Sequence, residues 1–223
     1  MIHVRKNFAR PAPQIVSAYR NLSAATVHEA SGRKGAVDNA VKPVTRGVKV
    51  CGPALTVQCA PGDNLMLHKA LEIAMPGDVI VADVAGEYNC GYWGGLMTVS
   101  ALARKLGGLV IDGCIRDSGE IIEMGFPVFC RGFAIKGTTK NALGLVNYPV
   151  FFGKVLVSPG DLILGDDDGI VVVRYDEVEE VLAKSLKRIN DEREKAEVLR
   201  TGISSVEYNR LGRIFEELGL AEE

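Results

Sequence analysis

Gly107-Gly108-Leu109-Val110-Ile111-Asp112-Gly113-Cys114-Ile115-Arg116-Asp117-Ser118-Gly119-Glu120 is the stretch that decides the fold. Its two leading glycines stop a helix, the apolar run after them reads as a buried strand, and a loop with one guanidinium and several carboxylates follows. Just upstream, Leu96 to Leu106 places Leu96, Val99, Ala103 and Leu106 near one face, which is helical spacing. Helix, buried strand and charged loop in succession predict an α/β fold, with a ligand expected at the strand end.

Working outward, the sequence predicts helices over Pro13 to Arg20 and Ser23 to Ala30, the second capped by Ser23 or Thr26. A strand is expected from Val48 to Gln58. Pro61-Gly62-Asp63-Asn64 then turns the chain into a helix from Leu65 to Ala74, and Pro76-Gly77-Asp78 introduces a strand from Val79 to Ala85. Short strands follow at Val128 to Ala134, Val150 to Phe152, Lys154 to Val157, Leu162 to Leu164 and Ile170 to Arg174. The recurrence of Pro-Gly-Asp before a strand, at Pro76 and Pro159, reads as a good turn used twice rather than a duplication. From Asp176 to Leu199, Val178, Val181, Leu182, Ser185 and Ile189 recur with a period near 3.6, a long amphipathic helix. The chain therefore reads as one α/β domain with its core over about Ala12 to Gly202 and a C-terminal helical tail from 203 to 223.

Composition narrows the function. The 223 residues carry 26 Lys plus Arg against 28 Asp plus Glu, a formal charge of −2, so nothing electrostatic favours nucleic acid or an anionic membrane. No apolar run approaches the roughly 20 residues of a membrane span, and a cytoplasmic protein is expected. The five cysteines, Cys51, Cys59, Cys90, Cys114 and Cys130, never form Cys-x-x-Cys, so they read as reduced packing residues.

Two elements carry the chemistry. Arg116 offers a planar fork to a carboxylate, while Asp117 and Glu120 are hard oxygen donors suited to Mg²⁺ or Mn²⁺; a salt-bridged loop is the competing reading. Gly91-Tyr92-Trp93-Gly94-Gly95-Leu96-Met97 precedes a helix and can present backbone N–H groups to an anion. No Walker lysine or dinucleotide fingerprint is present, so no nucleotide or organic cofactor is expected. His28 and His68 read as capping or core residues, and His3 as part of a mobile terminus. Asp166-Asp167-Asp168-Gly169 resembles a cation loop but is read as a hairpin turn.

Gly94-Gly95-Leu96-Met97 followed by Arg116-Asp117 resembles the class II pyruvate aldolases acting on 4-hydroxy-4-methyl-2-oxoglutarate and 4-carboxy-4-hydroxy-2-oxoadipate, a family that includes the regulator of ribonuclease E activity A. Ala25 to Ala30, Pro61 to Asn64, Lys136-Gly137-Thr138, Pro159 to Asp161 and Asp166 to Gly169 extend the resemblance over nearly the whole chain. It implies a compact β/β/α sandwich, homotrimers or paired trimers with sites between subunits, and a divalent metal, usually Mg²⁺. It assigns pyruvate binding to Arg116, metal anchoring to Asp117, and substrate carboxylate binding to Gly94, Gly95, Leu96 and Met97. A late-helix glutamate of a neighbouring subunit, here Glu192 with Glu194 close behind, is also implied. The aldolases carry aspartate where this chain has Gly95, whereas a variant pattern pairs glycine there with an acid at the position of Glu120. The expected reaction is cleavage of a 2-oxo acid to pyruvate through an enolate, by retro-aldol cleavage, oxaloacetate decarboxylation, or both. The second reading is a trimeric interaction protein that binds a ribonuclease.

Overall fold

The computed structural model describes residues 2–223. Its strands are β1 (Lys42–Pro43), β2 (Val50–Gln58), β3 (Val79–Asp83), β4 (Gly108–Asp112), β5 (Cys114–Ile115), β6 (Val128–Cys130), β7 (Gly132–Phe133), β8 (Leu145–Val146), β9 (Val150–Phe152), β10 (Val155–Val157), β11 (Leu162–Asp166) and β12 (Gly169–Val173). The helices begin with α1 (Pro13–Tyr19), α2 (Ala24–Ala30), α3 (Leu65–Ile73), α4 (Gly95–Ala103), α5 (Ser118–Glu123) and α6 (Val178–Arg200).

The main sheet runs β1-β6-β4-β3-β2-β11-β12, with β8 also paired to β2. Strands β2, β3, β4 and β6 are parallel neighbours, whereas β11 and β12 continue the sheet antiparallel. Lys42 in β1 donates to the Asp168 carbonyl in the β11–β12 turn, so the two edges approach closure. Strand β2 is buried from Val50 to Val57, because both faces of the sheet are covered; the run is apolar but for Thr56, whose hydroxyl donates to Tyr148 O at 2.6 Å.

Alternation assigns the layers. Ile80 and Ala82 of β3, with Leu109 and Ile111 of β4, face a core completed by Leu67 and Leu71 of α3, Met97 and Ala101 of α4, and Trp93. Val79, Val81 and Val110 face the opposite core, closed by Val150 and Phe152 of β9, Ile163 of β11 and Val172 of β12. The α/β expectation of a β/β/α sandwich therefore stands, with helices on one side and the curled sheet and its hairpin on the other.

The chain divides into two compact units, residues up to Ser185 and Leu186–Glu223, so the division falls inside α6 instead of after Gly202. The buried residues of α6, Val178, Val181 and Ser185, all precede it. The second unit contains the rest of α6, then α7 (Ser205–Tyr208) and α8 (Gly212–Glu217), and Lys195 bonds Asn209 at 2.7 Å within it. No helix among the described residues is long and apolar enough to cross a membrane.

Three expectations need correction. The predicted strand Val128 to Ala134 breaks at Arg131, whose side chain is drawn to Asp112 and Asp38, and β7 joins a separate small sheet with β5. The segment after Arg116 enters helix α5 instead of remaining a loop. The N-terminal segment is also tied down: His3 Nδ1 lies 3.0 Å from the Gly144 carbonyl, and Arg10 pairs with buried Asp78 at 2.7 and 2.8 Å.

Candidate active site

The small sheet explains how distant residues meet. Three extended segments lie side by side: Gly91 bridges Cys114 in parallel, and β5 pairs with β7. Arg116 N donates to Trp93 O at 2.9 Å, and Ala134 N to Ile115 O at 2.9 Å. This brings the glycine-rich turn, Arg116-Asp117 and the chain after residue 134 to one edge. They line a cleft of about 530 Å³ with Asn64, His68, Thr138 and Lys140.

The glycines permit the close approach. A Cβ at Gly91 would meet Arg116 Cβ at 2.8 Å, and one at Gly94 would meet Asp117 Oδ2 at 2.5 Å. A Cβ at Gly95 would lie 2.3 Å from Glu120 Oε2, so the Glu120 carboxylate fills the space a side chain at 95 would need. Glu120 can reach back because Asp117 starts α5 with φ 56° and ψ 36°, a left-handed conformation that Asp tolerates better than most residues. Such strain concentrates at functional sites.

Asp117 Oδ2 accepts the Gly95 N–H at 3.0 Å and lies 3.6 Å from Arg116 Nε. The side chains of Arg116 and Asp117 keep 49% and 39% exposure, so both remain open to the cleft. Gly94 caps α4, whose first-turn N–H groups point to this end. Gly95 N–H is taken by Asp117, whereas Leu96 and Met97 N–H have no hydrogen bond among the described residues. Trp93 is buried, stacks with Phe126 and donates from Nε1 to Thr98 Oγ1 at 2.8 Å, fixing the turn from behind.

The donor set fits a hard ion. Mg²⁺ takes one or two protein carboxylates and keeps several waters, which suits Asp117 and Glu120 flanking Gly95. No group of three His, Cys, Asp or Glu able to cage a metal occurs among the described residues.

Glu192, expected to act from a neighbouring subunit, belongs to the second unit, where it pairs with Arg188 at 2.8 Å. Asp112 is taken by Arg131 and by Gly153 N at 3.0 Å. Cys114 is buried, which raises its thiol pKa and leaves it unreactive.

His68 and Lys140 also line the cleft, although neither reads as a site residue in the sequence. His68 lies four residues after Asn64 on α3, one helical turn on, and that spacing was the available signal. Its pKa is lowered, first by burial and then by the Lys140 ammonium. Asn64 does not cap α3 with its side chain; its Nδ2 donates to Tyr92 O at 2.8 Å.

With this geometry, comparison with known proteins defines the class. Residues 19–172 match the RraA-like family, described as Aldolase/RraA. The chain belongs to that family. It is 34% identical over 86% of its length to a protein of Halalkalibacterium halodurans, 91% of which is covered, named "Putative 4-hydroxy-4-methyl-2-oxoglutarate aldolase". An uncharacterized protein of Methanocaldococcus jannaschii is 38% identical over 67% of this chain and 74% of its own. Among solved structures, Streptomyces coelicolor RraAS2, described as an unusual member of the RNase ES inhibitor RraA protein family, superposes with a TM-score of 0.77. It is 30% identical, over 85% of this chain and 99% of its own.

Proposed function

We propose that this protein is a lyase releasing pyruvate from small 2-oxo acids, by aldol cleavage of 4-hydroxy-4-methyl-2-oxoglutarate or 4-carboxy-4-hydroxy-2-oxoadipate, by decarboxylation of oxaloacetate, or by both. The observation that carries this reading is the convergence of Arg116, Asp117 and the N-terminus of α4 on one cleft. Aldolase names among the relatives support it.

Asp117 and Glu120 would hold a divalent ion, Mg²⁺ before Mn²⁺, which when bound supplies Lewis-acid polarisation of the 2-oxo group. Arg116 orients the substrate carboxylate through its guanidinium fork. The N–H groups of Leu96 and Met97, at the positive end of α4, favour the negative charge that develops as the bond to C4 breaks. Decarboxylation then needs only a proton delivered to C3. Retro-aldol cleavage also needs a base for the C4 hydroxyl proton, and with Gly95 in place of an aspartate that step is the weaker one.

The cleft is proposed to be completed by a neighbouring copy in a homotrimer or a pair of trimers, with Glu192 of that copy approaching the substrate. Leu96, Val99 and Leu102, spaced by three along α4, are 88, 54 and 40% exposed, an apolar stripe beside the site that such a copy would cover. The buried cysteine thiols, none in a disulfide, suit a cytoplasmic location.

The test is pyruvate release from oxaloacetate with Mg²⁺, with chelator, and with Arg116→Ala. Metal-dependent turnover that Arg116→Ala lowers by about 10²-fold or more is expected. Wild-type protein no faster than free Mg²⁺ would point instead to the ribonuclease-binding reading.

A further inference from the structure

Pro-Gly-Asp occurs three times, and each time the aspartate is buried and the glycine adopts a left-handed φ, 71° at Gly62, 87° at Gly77 and 91° at Gly160. The turns are alike, but their aspartates serve different ends. Asp78 binds Arg10 and the Met75 N–H, and Asp161 accepts from Ser158 N at 2.8 Å and Tyr175 N at 2.9 Å; neither lines the cleft.

Asp63 does not line the cleft either, but it differs from the other two in binding the segment that does. Its Oδ1 accepts Leu65 N at 2.8 Å, while Oδ2 gathers Thr139 Oγ1 at 2.8 Å, Asn141 N at 2.5 Å and Ala142 N at 3.1 Å. Thr139 N donates to Gly62 O at 2.8 Å and Asn64 N to Thr139 O at 3.1 Å, closing a ladder around the carboxylate. Gly62 N also donates to the buried Tyr92 hydroxyl at 2.6 Å, joining the turn to the glycine-rich segment. Residues 138–142 belong to no helix or extended strand of their own, so these bonds place them. Thr138 and Lys140 of that segment line the cleft with Arg116.

We infer that Asp63 is a positioning residue: by clamping residues 138–142 it sets where the Lys140 ammonium stands in the cleft, and so how tightly the site holds an anionic 2-oxo acid. This inference rests on the proposed lyase reading. An amide cannot replace this carboxylate without loss, because in either flip the NH₂ of Asn faces a backbone donor, Leu65 N–H on one side or Asn141 and Ala142 N–H on the other, and the charge is gone. The clamp is charge-assisted: burial would raise the Asp63 carboxyl, but hydrogen bonds from Asn141, Leu65, Thr139 and Ala142 hold it below its usual range.

The experiment measures oxaloacetate turnover and pyruvate affinity with Mg²⁺ for the full chain, Asp63→Asn, Lys140→Ala, their double variant, and Asp161→Asn as the same turn away from the cleft. Asp63→Asn is expected to raise KM and the pyruvate Kd about fivefold or more with kcat changed far less, and to add nothing in the Lys140→Ala background. Asp161→Asn is expected to lower Tm and leave KM unchanged. A lower Tm with unchanged KM in Asp63→Asn, or the same factor in the Lys140→Ala background, overturns the inference while the lyase reading stands. A wild type that neither binds pyruvate nor turns over oxaloacetate overturns both. Should Asp63→Asn not fold, Thr139→Val removes one donor and keeps the carboxylate; a smaller rise in KM is expected, and an unchanged KM overturns the clamp.

Discussion

Two acid-rich segments, Arg116 to Glu120 and Asp166 to Gly169, both carry the hard oxygen donors a cation needs, yet they spend their carboxylates in opposite ways. In the second, Asp166 Oδ2 accepts the Ala24 N–H at the start of α2 and Oδ1 the Asp168 N–H, while Asp167 Oδ1 takes the Gly47 N–H. The segment is a hairpin turn, with Asp166 paired to Gly169 across β11 and β12. In the first, Asp117 meets a single backbone N–H and Glu120 reaches toward Gly95 at the edge of an open cleft. An acidic cluster is a structural element when its oxygens already face backbone donors, and a ligand site when they face a cavity.

The largest effect should separate the two. Asp117→Asn, which keeps a short polar side chain at the left-handed torsion, is expected to cut Mg²⁺-dependent oxaloacetate turnover by about 10³-fold with little change in Tm, since its amide oxygen can still accept the Gly95 N–H. Asp166→Ala should do the reverse, lowering stability by about 1–2 kcal/mol in urea denaturation with kcat/KM unchanged. If the Asp166 variant also loses activity, the contrast fails. Glu120→Gln is expected to weaken Mg²⁺ affinity about tenfold by titration calorimetry, and unchanged affinity would assign Asp117 alone to the ion. A Gly95→Asp change must first displace Glu120, so a gain in cleavage of 4-hydroxy-4-methyl-2-oxoglutarate should be larger in Gly95→Asp/Glu120→Ala than in Gly95→Asp alone.

The smallest effect concerns pH. Asp63 has a lowered pKa, so its contribution to stability is complete above the unfolded value near 3.8 and is lost as pH falls through the folded value. Asp161 is raised, chiefly by burial, so it costs stability above its folded pKa, and that cost is relieved as pH falls. Asp63→Asn should flatten the acid limb of the stability curve, and Asp161→Asn should steepen it. Urea midpoints between pH 3 and 6 would reveal either outcome.

Local pattern made much of the molecule legible. Ser23 caps α2 by accepting Thr26 N–H at 3.1 Å, and α3, α4 and β2 to β4 lie within a few residues of their predicted bounds because apolar period and glycine or proline punctuation mark them. The Arg116-Asp117 pair and the glycine turn were legible for the same reason. What escaped depends on partners far along the chain. Val128 to Ala134 is apolar apart from Arg131-Gly132 and reads as one strand, and only the pull of Asp112 and Asp38 on Arg131 reveals the break. The 138–142 segment has no periodicity at all; its place is set by Asp63, some 75 residues earlier in the numbering. The tie between His3 and Gly144 is equally non-local.

The left-handed backbone at Asp117 also bears on which acid stands there. Asp adopts that torsion at lower cost than a longer side chain does, so Glu, though equally anionic, would add main-chain strain of about 1 kcal/mol to its extra methylene, a cost the fold does carry at Arg33, Lys105 and Lys154. Stereochemistry therefore tilts this position toward the shorter acid independently of anything the carboxylate binds.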